Sequence, residues 1–329
     1  MMLADHFNVL LTGTVNLPQW KLDKLDERVD AIYGALEADD ELGPLVKDKI
    51  PQGSWAHRTI INPKLGKEFD ADFLLHLEEN PEWSGTPSKY IEAVYAALGR
   101  SATYKNMPRN RKCRCVRVTY ADFCHVDIVP YLRLGGWRQV IVNRDEEEWE
   151  ETNPAGFTHW MQTQDGLAGE NLRKVIRLLK YLRDNSTWTG TRSVILTTLV
   201  GERVSPDKKL YDPGYYGSVP KALLHIVQDL DDYLQANPAK PSVPDPSRTG
   251  ETFDHRWEEP TYLHFRDRIH DYRAAMEEAY DEVDKRRSVE LWQAIFGTGF
   301  KAPPSTDGGS GKFGTVPPAA TTGRSGRAG

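Results

Sequence analysis

The sequence predicts an α+β protein of two lobes, a mixed β-sheet lobe followed by a helical lobe, with a cleft between them. Three observations carry this expectation. The first half holds short β-branched, alternating runs: FDADFLL at 69–75, CRCVRVTY at 113–120 and VDIV at 126–129. The second half carries apolar residues at helical spacing over 166–184, 193–203, 219–235 and about 263–292. The chain has 329 residues, 39% hydrophobic and 27% charged, enough for one large or two small globular domains. The expected division is 1–160 for the sheet lobe with a leading helix, 161–300 for the helical lobe, and 301–329 for a tail.

Each element follows from its pattern. Residues 19–38 place Trp20, Leu22, Leu25, Val29, Ile32, Tyr33 and Leu36 on one helical stripe with charges between. A strand pair leads up to Leu77. Residues 87–99 read as a helix, with Pro87 near its start and Gly99 after its end. The basic run Arg109, Arg111, Lys112, Arg114 and Arg117 leads into the strand at 113–120. Alternation sends Cys113, Cys115, Arg117 and Thr119 to one face of it. Two readings of this run stand, a solvated hairpin and a wall that meets nucleotide phosphates. The acidic run at 145–151 reads as a solvated loop or helix start. In 166–184, Leu172, Val175, Ile176, Leu179 and Leu182 form an apolar helix face. The Pro-rich stretch 237–248 is a connector. From about Lys301 the chain is Gly, Pro, Ser and Thr with few large apolar residues, a composition that cannot bury a core.

The chemistry concentrates between Gln52 and Leu75. Asp70 and Asp72 are two apart, so on a strand their carboxylates share a face. Like charges at that spacing repel, and a divalent cation removes the cost. Mg²⁺ is typically held by one or two carboxylates plus substrate phosphates. Gly53-Ser54 upstream offers close backbone approach, free N–H groups and a hydroxyl, which is what a phosphate needs. Asp127 sits inside a β-branched run, where an acid is costly unless paired or metal-bound. Three carboxylates on neighbouring strands have the make-up of a two-metal phosphoryl-transfer site. Cys113, Cys115, Cys124 and His125 include the residue types of a zinc site. Adjacent Cys124 and His125 should face opposite ways, which favours buried cysteines instead.

These motifs, GS followed by DAD and then VDIVP, resemble the polymerase-β-like nucleotidyltransferases, and more narrowly the bacterial cGAS/DncV-like enzymes of CBASS anti-phage defence. VNLP at 15–18, VIRLLKY at 175–181 and LWQAIFG at 291–297 resemble segments of the branch called clade C. The resemblance covers roughly residues 7–300. It implies a polymerase-β-like fold whose N-terminal helix braces both lobes, and synthesis of a cyclic, adenine-rich di- or trinucleotide from ATP and other NTPs. It implies Mg²⁺, with Mn²⁺ as a substitute, held by Asp70, Asp72 and Asp127, with Asp127 also drawing a proton from the attacking ribose hydroxyl. Gln52, Gly53 and Ser54 would hold the triphosphate. By position, Lys180 and Ser193 match a further lysine and serine on the helical lobe. A snorkelling surface lysine and a helix-capping serine are the alternatives for that pair. The family often follows that serine with an aromatic residue and a downstream Glu, and Ser193-Val194-Ile195-Leu196-Thr197 has neither. Base stacking then falls to Tyr181, Tyr211, Tyr215 or Tyr216, unless these are core. The interval through Asn62-Pro63-Lys64-Leu65-Gly66-Lys67 is long for the family.

Composition narrows the setting. Three cysteines make no disulfide framework, so a reducing cytoplasm is expected. No apolar run reaches a membrane span, and 1–13 lacks a signal-peptide pattern. A net charge of −6 opposes an electrostatic grip on nucleic acid. It also weighs against a linear RNA-tailing enzyme, which would bring a basic RNA-binding domain; an oligoadenylate-synthetase-like linear transferase is the related alternative. A nucleotide-binding module without turnover is opposed by the intact acid trio. The resemblance implies two partners: a HORMA-domain activator, for which the charged face with Glu277, Glu278, Asp281 and Lys285 offers a dock, or an E1–E2-like enzyme that conjugates the chain through Gly329. A solvated surface and an idle linker are the respective alternatives.

Overall fold

The computed structural model describes residues 2–64, 68–122, 124–186 and 190–304. The chain opens with α1 (Ala4–Leu10), a π-helical turn (Leu11–Val15) and α2 (Gln19–Glu37). Then come β1 (Val46–Gln52), the single turn α3 (Gly53–Ala56), β2 (Phe69–Leu77), α4 (Ser88–Arg100), β3 (Arg109–Arg111), β4 (Val116–Tyr120), β5 (Cys124–Leu134), β6 (Arg138–Asn143) and β7 (Glu148–Glu151). The rest is helical: α5 (Pro154–Leu167), α6 (Leu172–Asn185), α7 (Ser193–Gly201), α8 (Pro206–Tyr211), α9 (Val219–Ala236), α10 (Glu259–Asp281) and α11 (Lys285–Phe296).

The strands form one mixed sheet in the order β1-β2-β5-β4-β3, with β6 on the far half of β5 and β7 beyond it. Only the β2–β5 pair is parallel among the described strands. Alternation on β2 decides everything that follows. Ala71, Phe73 and Leu75 turn into a core with Leu25, Val29 and Ile32 of α2 and Ile91 and Val94 of α4. Asp70 and Asp72 are therefore thrown to the opposite face. Register then aligns Gln52 of β1, Asp72 of β2, Asp127 of β5 and Arg117 of β4 in one row across the sheet.

A second core is helical. It joins Val175, Ile176 and Leu179 of α6, Leu196 and Leu199 of α7, and Leu223, Ile226 and Val227 of α9. Leu3, Phe7, Leu10 and Val15, at the start of the chain, pack into this core rather than into the sheet core. The Phe7 ring meets Trp292, Phe296 and Phe300 edge-on, with centroids 4.9, 5.9 and 5.0 Å away.

Several elements differ from the sequence expectation. The single long helix over 263–292 is two, α10 and α11, because Asp284 leaves helical geometry and its carboxylate caps the Arg287 N–H. Glu277, one of the expected docking charges, is engaged by Gln228 and Arg273. The helix over 166–184 begins only at Leu172, after a turn, and α5 precedes it unforeseen. Asn153 caps α5 through Gly156 N–H, with Pro154 in its first turn. The acidic run 145–151 contributes β7, whose Glu150 forks onto Arg114. Helix α4 runs through Gly99 to Arg100. Residues 65–67 of the long interval and the expected conjugation handle, within 305–329, lie outside the described residues.

Candidate active site

A cavity of about 340 Å³ opens between the polar face of the sheet and the helical core. Gln52, Gly53, Ser54, Asp70, Asp72, Lys180 and Ser193 all line it. Asp127 is the one expected site residue that does not; it lies behind Asp72, buried in β5.

The turn at the end of β1 builds one wall. Gly53 has φ +67°, and a Cβ there would overlap Asp72 Oδ2. Only glycine both adopts that backbone and leaves the carboxylate its place. The Ser54 carbonyl accepts from Thr59 and Ile60 N–H, folding the chain back over α3.

Asp72 is the electrostatic centre. Burial first, and then the charges of Asp70 and Asp127, push its carboxyl well above the usual carboxylate range; Arg117 and Lys180 pull the other way. Among the described residues, none donates a hydrogen bond to it. Asp70 has a looser environment, with His125 Nε2 3.9 Å from its Oδ2, while His125 Nδ1 faces Glu68 Oε2 at 3.1 Å. Asp127 is fully engaged: Arg117 donates from Nε to Oδ1 at 2.7 Å and from Nη2 to Oδ2 at 2.6 Å. Among the described residues no three His, Cys, Asp or Glu side chains are gathered closely enough to enclose a metal ion. Asp70 and Asp72 nonetheless present a cavity-facing carboxylate pair whose mutual repulsion a divalent ion would relieve, so these residues fit one. Of the cysteines, Cys113 donates to Asn143 Oδ1 and Cys124 packs in the sheet core.

The helical side supplies the cation. Lys180 on α6 is 3% exposed, and its Nζ donates to the Thr59 carbonyl and approaches the Thr59 hydroxyl. Burial, helped by Arg183, pushes its ammonium down to about 7, while Asp70 and Asp184 oppose the shift. Lys180 is thus no snorkelling surface residue. Ser193 is the first residue of α7, not its cap, and its hydroxyl accepts from Arg183 at 3.0 Å.

The aromatic lining is not where the sequence reading placed it. Tyr181 bonds the Phe296 carbonyl, Tyr215 stacks on His225, Tyr216 is buried in the helical core and Tyr211 is exposed; none lines the cavity. The rings at the site are Phe157 and Phe253, 6.2 Å apart, with His57 tilted against Phe157. Burial and then the charge of Lys180 hold His57 down to about 4, hence neutral at physiological pH. Asn153, Thr197 and Asp245 add polar atoms. Phe157 and Phe253 sit in stretches without a motif, so only tertiary packing brings them together.

Comparison with known proteins identifies the family and the fold. Residues 1–165 match the family described as the Second Messenger Oligonucleotide or Dinucleotide Synthetase domain. A cyclic AMP-AMP-AMP synthase of an Acinetobacter strain is 22% identical over 277 residues, covering 82% of this chain and 78% of that protein. A c-di-GMP synthase of Roseivirga ehrenbergii is 23% identical over 263 residues, covering 70% and 69%. The fold matches that of Vibrio cholerae DncV cyclic AMP-GMP synthase, solved with nonhydrolyzable GTP, at a TM-score of 0.72 and 17% identity over 91% of this chain and 96% of that one. It also matches E. coli MS115-1 CdnC, solved as a CdnC:HORMA-deltaN complex, at a TM-score of 0.67 and 19% identity over 91% and 98%. With half its length matched, and the polymerase-β-like fold in place, the chain belongs to the Second Messenger Oligonucleotide or Dinucleotide Synthetase family, the bacterial cGAS/DncV-like nucleotidyltransferases.

Proposed function

We propose that this nucleotidyltransferase joins NTPs, ATP foremost, into an adenine-rich cyclic di- or trinucleotide at the Asp70–Asp72 cleft. The observation that carries the reading is Asp72: a half-buried carboxylate without a hydrogen bond among the described residues, flanked by two more acids and facing a cavity that also holds Ser54 and Lys180. Such a group is costly unless a cation and its anionic ligand complete it. Mg²⁺, or Mn²⁺ in its stead, would be held by Asp70, Asp72 and Asp127, and when bound supplies neutralisation of phosphate charge and acidification of a hydroxyl.

The chain's own residues do the positioning. Gln52, the bare Cα of Gly53 and the Ser54 hydroxyl cradle the triphosphate from the sheet side. Lys180 meets it from the helical side with a charge that the anion itself stabilises, and Ser193 adds a hydroxyl at the start of α7. Asp127, once its fork with Arg117 loosens, would take the proton of the attacking ribose hydroxyl. Phe157 and Phe253 offer apolar faces to a nucleobase, and stacking of this kind is tolerant of base identity. The two cores are read as lobes that close on the substrate, the helical one taking in residues 3–15 as well as the chain from about residue 154.

The adenine preference and placement in clade C rest on the Acinetobacter relative and the likeness to CdnC. The same likeness supports a HORMA-domain protein as activator. Among the described residues no helix is long and apolar enough to cross a membrane, which agrees with work in the cytoplasm. The test is incubation of the full chain with each labelled NTP and Mg²⁺, alone and with a co-encoded HORMA protein, then phosphatase and nuclease P1. A phosphatase-resistant product whose mass is that of a ring supports the reading. Linear products alone would count for the oligoadenylate-type transferase instead.

A further inference from the structure

Asp127 differs from its two fellow acids in having a partner of its own. Antiparallel pairing of β4 with β5 places Arg117 directly opposite Asp127, and parallel pairing of β2 with β5 places Asp72 opposite Asp127 from the other side. The row is therefore acid, acid, guanidinium. The fork uses Nε and Nη2 at 2.7 and 2.6 Å and occupies both carboxylate oxygens. Both side chains are largely shielded, 28% and 10% exposed, so water screens the pair little. A guanidinium does not lose its proton in a protein, and its planar fork matches a carboxylate far better than a lysine does. Arg117 therefore vacates Asp127 only by moving.

We infer that Arg117 is a built-in counter-cation that competes with the divalent ion for Asp127, and so weakens metal binding in the nucleotide-free enzyme. The inference rests on the site reading given above. A fixed positive charge one residue across the sheet lowers the pull of the acid row on any second cation. Its hydrogen bonds also draw electron density and one lone pair from each Asp127 oxygen, which makes both poorer ligands while the fork holds. Arg117 acts through Asp127 and is a positioning residue.

The experiment is Mn²⁺ binding to the full chain without nucleotide, read from the free-ion EPR signal. Arg117→Gln removes the charge and keeps a polar side chain. Its affinity for Mn²⁺ is expected to rise about tenfold, as a charge-assisted fork is lost. In an Asp127→Asn background the same change should raise Mn²⁺ affinity clearly less than in wild type, since the contested ligand is gone and only the removal of a nearby charge remains. Arg117→Lys, with one contact in place of two, should give a smaller rise, about threefold, and decides the matter if the Gln variant does not fold. Unchanged or weaker binding in folded Arg117→Gln or Arg117→Lys overturns the inference. The site reading fails separately: it falls if Asp70→Asn with Asp72→Asn leaves wild-type Mn²⁺ binding intact.

Discussion

Lys180 Nζ lies 3.1 Å from the Thr59 carbonyl oxygen and 3.2 Å from the Thr59 hydroxyl, so one buried ammonium ties the helical core to the turn that follows Ser54. This contact joins the two sides of the cleft and sets the charge that awaits the triphosphate.

The first prediction is a proton taken up on binding. The Lys180 ammonium is pushed down to about 7, so it is charged below that pH and neutral above it. A bound triphosphate favours the charged form and raises the value. Affinity for a nonhydrolysable ATP analogue should therefore fall as pH rises from 7 to 9. Calorimetry at pH 8 in two buffers of different ionisation enthalpy should show net proton uptake. Lys180→Met should lose that uptake and bind more weakly by about 1.5–3 kcal/mol at low pH. Equal uptake by the mutant would assign the proton elsewhere.

Asp72 leads to a second, about stability. Its carboxyl titrates above the ordinary range in the folded chain, so the folded state holds a proton that the unfolded state has released. By linkage its contribution grows more unfavourable as pH rises from the ordinary value through the raised one. In EDTA at pH 7.5, Asp72→Asn should melt higher than wild type, by about 2–4 °C for each kcal/mol relieved. Adding Mg²⁺ with ATP should stabilise wild type and not the mutant, and the mutant should make no product. A lower melting point in EDTA would contradict the charge argument.

Gly53 gives the third. Gly53→Ala puts a side chain at φ +67° and against Asp72 Oδ2. The backbone cost alone is about 1–3 kcal/mol. Denaturant midpoints should drop, and product formation should fall further than the stability loss explains, because Asp72 is displaced. Wild-type turnover from Gly53→Ala would mean the close approach is incidental.

Phe253 carries the fourth. It is half-buried beside Phe157 and lines the cavity. Replacing a stacking ring by alanine costs about 1–3 kcal/mol per base. Phe253→Ala should raise KM for ATP by that measure and change kcat little. If KM for every NTP is unmoved, the base does not lie on this ring.

What the sequence made legible was the local part of the site. Asp70 and Asp72 share a face because of strand period alone, and Gly53-Ser54 marks its own turn. Which strand lies beside β2 is a matter of long-range pairing, and that pairing sets Asp127 against Asp72 and Arg117 against Asp127. Spacing along the chain does not encode it, so Arg117 read equally as part of a solvated hairpin. Other misses had visible signals. Asn153-Pro154 is a helix start, and Asp284 three residues before Arg287 is a cap that splits α10 from α11. The Glu-rich run hid β7 because charge outweighed the single Trp149, while the Arg114 fork that stabilises Glu150 lies far away in sequence. Of the tyrosines, Tyr181 lies on α6 and Tyr211 ends α8 in solvent, while Tyr215 and Tyr216 sit in the turn before α9 and pack on the helical core; Phe157 and Phe253 are recruited from segments 96 positions apart.

The packing of Phe7 among Trp292, Phe296 and Phe300 has a mechanical consequence. Both flanks of the chain are anchored in the helical core, so the sheet is an excursion that leaves this core near residue 16 and re-enters it near residue 154. Tension applied between residues 3 and 300 loads the helices and bypasses the strands. The acid row would keep its register until that clasp of rings came apart, and the two crossing points are the natural pivots about which the cleft opens and shuts.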